Sequence, residues 1–188
     1  MSLAYNVGPG TLRAMPFGGG GTPLSAPFGG KILNSIDSLE TAKILAWAAG
    51  EKLIEATSFH DDDLVACDLD DLEDDLDPRS ATSQKLDAIQ AVLKKSGLSV
   101  NTATCCLHGS TLFRRGGLTN PDKKLRELAH RKCERTIRIG HRFGAKYFTY
   151  WVARDGFEVP VKVDWNEVYG WLAEGLDGAV DYIRAKKF

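Results

Sequence analysis

The sequence predicts an α/β fold in which about four strand–helix units form a parallel sheet. Short segments rich in β-branched and aromatic residues alternate with longer segments of helical spacing, and strict alternation favours right-handed crossovers. A cluster of one histidine and three aspartates directly follows one strand, as in α/β barrels, whose chemistry lies at the carboxyl ends of the strands. A complete (β/α)₈ barrel has eight units and typically about 250 residues. Four units in 188 residues therefore predict half of such a barrel, as one domain over residues 1–188.

The N-terminal region is predicted to contain one strand and a long irregular segment. Residues 3–8 form the predicted first strand. Residues 9–36 are rich in Gly and Pro, with Pro-Phe-Gly-Gly at both 16–19 and 27–30. This composition is typical of an irregular loop, and the twofold echo is too short for a structural repeat.

The first helix and the second strand come next. Asp37 and Glu40 match a capping box, so the helix is predicted to begin at Asp37 and to end at Gly50. Its apolar face is Leu39, Ala42, Leu45, Ala46 and Ala49. The second strand is predicted from about Lys52 to Phe59.

A strongly acidic segment, residues 61–77, follows the second strand and contains ten Asp or Glu residues. Runs of like charge are typical of solvated surface. Everything after Asp63 in this segment is therefore predicted to be exposed. The next helix covers about 80–96, with Leu86, Ile89 and Leu93 facing inward and Gly97 as its stop.

The remaining chain repeats the strand–helix pattern. A third strand is predicted at about 98–104 and a fourth at 145–152. Between them, Asn120 and Pro121 are interpreted as the cap and first turn of a helix that runs to Phe143. The last helix is predicted to open with a capping box at residues 164–167. Its predicted buried face is Val168, Leu172, Leu176, Ala179 and Ile183.

Composition excludes several classes of protein. The balance of 24 basic and 25 acidic residues disfavours a nucleic-acid binder that depends on bulk charge. No apolar run approaches the roughly 20 residues that span a bilayer, and the N-terminus lacks the pattern of a signal peptide. The four cysteines, at 67, 105, 106 and 133, fit neither a zinc site nor a disulfide framework. We therefore expect reduced thiols in a cytoplasmic protein.

The candidate chemistry lies in S-F-H-D-D-D-L, residues 58–64. A carboxylate that accepts a hydrogen bond from one ring nitrogen of a histidine fixes the tautomer of the other and prepares it to move a proton. His60 and Asp63 are the predicted pair. An isolated histidine beside carboxylates is more often a surface cluster, but its position after a strand favours a functional role.

The order of motifs over roughly residues 27–188 resembles xylose isomerase, in its shorter actinobacterial-type form. The resemblance covers only the N-terminal half of that family's barrel. The motifs are S-F-H-D-D-D-L at 58–64, T-A-T at 102–104, R-R-G-G-L-T-N-P-D at 114–122, R-K-C-E-R-T-I-R-I-G at 131–140, G-A-K-Y-F-T-Y-W at 144–151, R-D-G at 154–156 and the Pro-Phe-Gly motif.

The resemblance implies roles for particular positions. His60 matches the histidine that assists opening of the sugar ring, and Asp63 matches the acid that orients it. Thr104 and Trp151 match positions that line the substrate pocket. The other implied pocket positions are Phe28 (or Phe17), which would reach into a neighbouring subunit's site, and Tyr5, where the family usually has a tryptophan.

Two departures from the family pattern affect the predicted site. His108 stands where a pocket wall is normally phenylalanine, which makes that wall polar and titratable. The positions that bind two divalent cations (Mg²⁺ or Mn²⁺) and the catalytic lysine would follow Phe188, so we expect no metal ligand in these 188 residues. The resemblance also implies a homotetramer, and metals that act as Lewis acids on the open-chain sugar.

Three interpretations stay open from the sequence. The first is the N-terminal half of an aldose–ketose isomerase that acts on a sugar such as xylose. The second is a non-catalytic fragment that keeps the ring-opening pair, and the third is a sugar epimerase-like member of the same barrel superfamily. For a half-barrel with open sheet edges we expect self-association and no isomerisation.

Overall fold

The computed structural model describes residues 14–16, 38–107, 110–152, 155 and 163–188. Four strands and five α-helices are present in these residues, together with a 3₁₀ turn at Thr111–Phe113. The strands are β1 (Ala14–Pro16), β2 (Ala56–His60), β3 (Ser99–Cys105) and β4 (Tyr147–Tyr150). The helices are α1 (Ser38–Gly50), α2 (Asp61–Leu64), α3 (Ala81–Ser96), α4 (Lys123–Arg142) and α5 (Trp165–Lys186).

The strands form one sheet in the order β1-β2-β3-β4, and every neighbouring pair is parallel. The predicted α/β class is therefore confirmed, and so is the sequential parallel order of the three predicted strands that the structure describes, β2, β3 and β4. Helices connect β2 to β3 and β3 to β4, as parallel neighbours require. That the sheet is half of a closed barrel stays a prediction.

β1 lies inside the segment that was predicted to be irregular, so that prediction is wrong for Ala14–Pro16. The strand has three residues, too few for an alternating pattern, and its residues pair with Ala56 to Ser58 of β2. β1 is recognised by its hydrogen-bonded pairing with β2, and a periodic sequence pattern does not predict such a pairing. The strand predicted at residues 3–8 lies outside the described residues.

β2 begins at Ala56, four residues later than predicted. The residues directly after α1 form the turn that caps the C-terminus of this helix, so they are not part of the strand. Lys52 has a left-handed φ of 59°. The backbone N–H groups of Lys52 and Leu53 donate to the carbonyls of Ala49 and Ala48 at 2.9 Å. This is the hydrogen-bond pattern of a helix that ends in a left-handed residue. The predicted cap Asp37 lies outside the described residues.

α4 begins three residues after the predicted cap. Asp122 is its N-cap and accepts from the backbone N–H of Lys124 at 2.9 Å. Asn120 instead stabilises the preceding loop, because its amide donates to the Gly116 carbonyl at 2.7 Å and its oxygen accepts from the Asp122 N–H at 3.0 Å. The assignment of Asn120 as the helix cap is therefore wrong.

The core fills the space between the sheet and helices α1, α3 and α4. The predicted inward residues of α3, Leu86, Ile89 and Leu93, are all buried in it. Phe59 packs edge-on against Phe143, with ring centroids 5.5 Å apart. A second cluster joins β3 to α4 through Cys105, Leu107, Phe113, Leu118, Ala129 and Cys133.

α5 is only partly covered. Val168 and Ala179 are buried, but Leu176 is 38% exposed, so the predicted buried face is wrong at that position. The helix packs on α4 and on Leu118 through its glycines. A Cβ at Gly175 would come within 2.8 Å of Leu118. No helix in the described part of the chain is long and apolar enough to cross a membrane.

Candidate functional site

The carboxyl ends of the parallel strands β2, β3 and β4 lie at the same end of the sheet. His60 is the last residue of β2 and pairs in register with Thr104 of β3. Trp151 follows β4 directly, and its backbone N–H donates to the Cys105 carbonyl at 3.2 Å. The rings of His60 and Trp151 lie 6.3 Å apart at 78°. The structure therefore brings together three of the predicted site residues, with Thr104 buried and Trp151 half-exposed.

His60 takes its position from α2, which begins at the next residue. It is the N-cap of that helix, and Asp63 Oδ2 accepts from the backbone N–H of His60 at 3.0 Å. The same oxygen lies 3.4 Å from His60 Nδ1. That separation is slightly longer than the expected hydrogen bond of about 3.2 Å or less. The orienting role of Asp63 stays a prediction.

The second ring nitrogen of His60 lacks a partner within the part of the chain that the structure describes. Nε2 is buried and makes no hydrogen bond with any described residue. A buried polar atom without a partner is uncommon in proteins and is a feature of sites that bind a ligand or water. With Trp151 beside it, this atom defines a candidate position for a hydroxyl or ring oxygen of a small polar ligand.

A buried lysine that the sequence did not indicate lies behind this edge. Lys132 of α4 is 3% exposed, and its ammonium donates to the carbonyl of Cys106. The same Nζ lies 3.3 Å from Asp61 and 3.1 Å from Asp62, the two residues that follow His60. Asp61 is fully buried. A positive charge therefore compensates the carboxylates at the start of α2.

The acidic segment after Asp63 is partly buried, so its prediction as solvated surface is wrong at several positions: Leu64, Val65, Leu72 and Asp75 are buried, and Asp74 is partly buried. Asp75 forms a two-point contact with Arg138, at 2.7 Å and 2.9 Å. Asp74 accepts from Nε of the fully buried Arg135 at 3.1 Å. The sequence pattern that could have predicted these buried acids is on α4. Lys132, Arg135 and Arg138 recur there at three-residue spacing and so share one helix face.

Burial and neighbouring charges shift the pKa values in this cluster. Burial, followed by repulsion from Asp61, raises the pKa of Asp62 to about 6, although Lys132 opposes the shift. Burial lowers the pKa of Lys132, but attraction to Asp61 and Asp62 exceeds it, so its pKa lies above the ordinary value. Lys132 is therefore charged at neutral pH and holds the two carboxylates together.

Asp61, Asp62 and Cys67 are the candidate metal ligands among the described residues, with ligand atoms within 4.8 Å of one another. They do not fit Mg²⁺ or Mn²⁺. Lys132 already places a cation 3.1 Å from Asp62. Burial raises the pKa of Cys67 to about 12, so its thiol stays protonated. Magnesium and manganese also prefer octahedral oxygen ligands, which this trio does not supply.

A second polar anchor, also missed from sequence, joins the end of β4 to the loop after β3. Asp155 Oδ1 accepts from the backbone N–H groups of Gly117 and Thr119, at 2.8 Å and 3.0 Å. Its other oxygen accepts from the Tyr150 hydroxyl. Burial, together with the Asp155 carboxylate, raises the pKa of Tyr150. The anchor fixes the residue that precedes Trp151.

Gly117 is required at this anchor because the space for a side chain is already filled. A Cβ there would lie 2.1 Å from Leu107 and 2.7 Å from the Tyr150 hydroxyl. Of the other predicted pocket residues, His108, Phe28 (with the alternative Phe17) and Tyr5 lie outside the described residues, and their positions stay predictions.

Comparison with known proteins gives a distant similarity. The xylose isomerase of Thermus thermophilus is 29% identical over 160 residues, which cover 83% of this chain. The match covers 37% of the relative, so the chain spans well under half of that protein's length. No protein-family model matches the chain. The similarity supports a xylose-isomerase-like family, in agreement with the α/β fold.

Proposed function

We propose that the chain is the N-terminal half of the (β/α)₈ barrel of a xylose-isomerase-type aldose–ketose isomerase. Its own contribution is to bind the cyclic aldose and to open the sugar ring. The observation that carries this proposal is the buried Nε2 of His60, which makes no hydrogen bond with the described residues and lies at the carboxyl edge of a parallel sheet.

The geometry suits a proton transfer at the ring oxygen of a sugar. His60 Nε2 would donate a hydrogen bond to that oxygen, while Asp63 lies 3.4 Å from Nδ1 and would stabilise the imidazolium. Trp151, 49% exposed, supplies an apolar face for the sugar carbons beside His60. Thr104, in register with His60, would contribute a hydroxyl to the same pocket.

Ring opening and isomerisation separate chemically, and the described residues fit only the first. Opening needs an acid–base group at the ring oxygen, which His60 supplies. Moving hydrogen between two sugar carbons in this family relies on bound divalent cations, and the described carboxylates do not form such a site. We therefore expect the 188-residue chain to open the ring without forming the ketose.

Mutarotation measures ring opening directly, because the α and β anomers of D-xylose interconvert only through the open chain. We expect the chain to accelerate this interconversion above the buffer rate and His60→Asn to abolish the acceleration. His141→Asn is the matched control, since His141 is an exposed histidine on α4 that stacks on Phe188. Polarimetry that shows no acceleration, or acceleration retained in His60→Asn, would contradict the proposal.

Sugar binding is tested separately by tryptophan fluorescence. We expect D-xylose to change the emission of the wild type and of Trp47→Phe, whose tryptophan is exposed on α1. The change is expected to be lost in Trp151→Phe. Ketose formation by the purified chain with added Mg²⁺ or Mn²⁺ would show instead that a complete isomerase site is present. Binding without mutarotation would favour the non-catalytic interpretation.

A further inference from the structure

Lys132, on helix α4, contacts residues directly after the ends of two strands, β2 and β3. Its ammonium donates to the carbonyl of Cys106, the residue directly after β3. It also lies within 3.4 Å of the carboxylates of Asp61 and Asp62, the first two residues after β2. One buried charge therefore bridges the carboxyl ends of β2 and β3.

The bridge acts close to the candidate site. Asp61 is joined directly to His60, and Cys106 is two residues beyond Thr104. The backbone of α4 is itself held against β3, where the Cys133 and Cys105 sulfurs are 3.8 Å apart. The lysine belongs to a packed helix, and the two carboxylates that it contacts begin α2, which also carries Asp63, 3.4 Å from His60 Nδ1.

We propose that Lys132 is a positioning residue for His60. By holding Asp61 and Asp62, it fixes the start of α2, so that Nδ1 of His60 faces Asp63 and Nε2 faces the pocket. The inference rests on the proposed function for the reaction that this orientation serves. The orientation itself can be measured without any reaction.

The competing explanation is that Lys132 is one of several buried ion pairs that only stabilise the fold. Arg138 and Asp75 provide a matched control on the same helix, six residues further on. Their side chains are 12% and 5% exposed, and they join α4 to the acidic segment rather than to a strand end. A general loss of stability would affect both pairs alike.

The test compares two charge-neutral double variants, D61N/K132M and D75N/R138M. D61N/K132M removes the fully buried acid together with its lysine, and Asp62, which also loses Lys132, has a side chain 32% exposed to water. Neither double variant therefore leaves a fully buried charge without a partner, so both should fold. The readout is the pair of His60 ring ¹⁵N chemical shifts, which report tautomer and hydrogen bonding. We expect the shifts in D61N/K132M to move towards those of a freely exchanging imidazole, and those in D75N/R138M to match the wild type.

Mutarotation supplies a second readout, and we expect its acceleration to fall by about tenfold to a hundredfold in D61N/K132M only. If that variant does not fold, Asp62→Asn weakens the same contact at a half-buried residue and should shift His60 in the same direction by less. Unchanged His60 shifts in these variants, or equal changes in D75N/R138M, would overturn the proposal. A wild type without mutarotation but with the expected shifts would refute the proposed function and leave the positioning role standing.

Discussion

The two flanks of the sheet differ in their side-chain interactions. On the β2–β3 flank, seven charged side chains of α2, the acidic segment and α4 form a charged seam. The seam consists of Asp61, Asp62, Asp74, Asp75, Lys132, Arg135 and Arg138. On the other flank, β4 and α5 carry large apolar side chains that remain exposed, which we call the edge flank. These are Tyr147, Tyr169, Leu176 and Val180.

The difference separates a region whose side chains are mostly buried and paired from a region whose apolar side chains are exposed to solvent. In the seam, acids meet bases from distant parts of the chain, and most of these side chains are buried. In the edge flank, Tyr169, Leu176 and Val180 lie on one face of α5, and Tyr147 lies on the last strand of the described sheet. Exposed apolar side chains on a helix face and on an edge strand are both typical of surfaces that another chain or segment covers.

The largest effect is expected from breaking the seam on one side only. Lys132→Met leaves Asp61 buried without its lysine, and losing one partner of a buried pair destabilises a protein by about 3–5 kcal/mol. Tyr169→Ala in the edge flank should change the free energy of unfolding by about 0.5 kcal/mol or less. Urea unfolding measures both. Similar losses in the two variants would remove the distinction between the flanks.

Matched Leu→Ala changes compare the core with the edge flank. Leu86 is fully buried on α3, and Leu176 is 38% exposed on α5. Leu86→Ala is expected to lower the free energy of unfolding by about 2–5 kcal/mol, because it removes buried methyl groups and leaves a cavity. Leu176→Ala should have an effect of about 0.5 kcal/mol or less. A large loss for Leu176→Ala in denaturant would show that α5 is covered in solution.

The seam should also give stability a dependence on pH. Burial, then repulsion from Asp61, raises the pKa of Asp62 to about 6. The folded chain therefore binds a proton that the unfolded chain, with an ordinary carboxyl pKa, has released, so this contribution is present at low pH and is lost as pH rises through about 6. Asp62→Asn, relative to the wild type, should gain on the order of 1 kcal/mol between about pH 5 and pH 7.5. An equal difference at both pH values in urea unfolding would contradict the shift.

Substitutions in the edge flank are expected to have the smallest effect on the free energy of unfolding but a clear effect on self-association. The sequence led us to expect self-association through open sheet edges, and we propose that the edge flank, which includes the strand β4, takes part in it. Tyr147→Lys with Tyr169→Lys should reduce the mass measured by light scattering at micromolar concentration and leave urea unfolding unchanged. Ala81→Lys with Ala91→Lys, at exposed positions of α3, is the control because it adds the same two positive charges away from the edge. A monomeric wild type would refute the proposal.

Much of the fold could be predicted because its signals are local. α3 begins after Ser80, which accepts from the N–H of Ser83, and ends at Gly97 with φ of 73°, close to the predicted limits of 80–96. The last helix likewise opens at Asp164, which accepts from the N–H of Asn166 and Glu167. Caps and helix stops depend on a few neighbouring residues, so a sequence pattern contains them.

The sequence alone determined the alternation of strands and helices, the parallel order, and the position of His60 at a strand end beside Asp63. Only the tertiary structure decided that Lys132 reaches Asp62, 70 positions away, and that part of the acidic segment is buried. It also decided that Asp155 anchors the loop at Gly117. The reason is that an ion pair has no period or spacing in the chain. Its partners are chosen by which surfaces the packed helices bring together, and the low dielectric there makes the pairing obligatory.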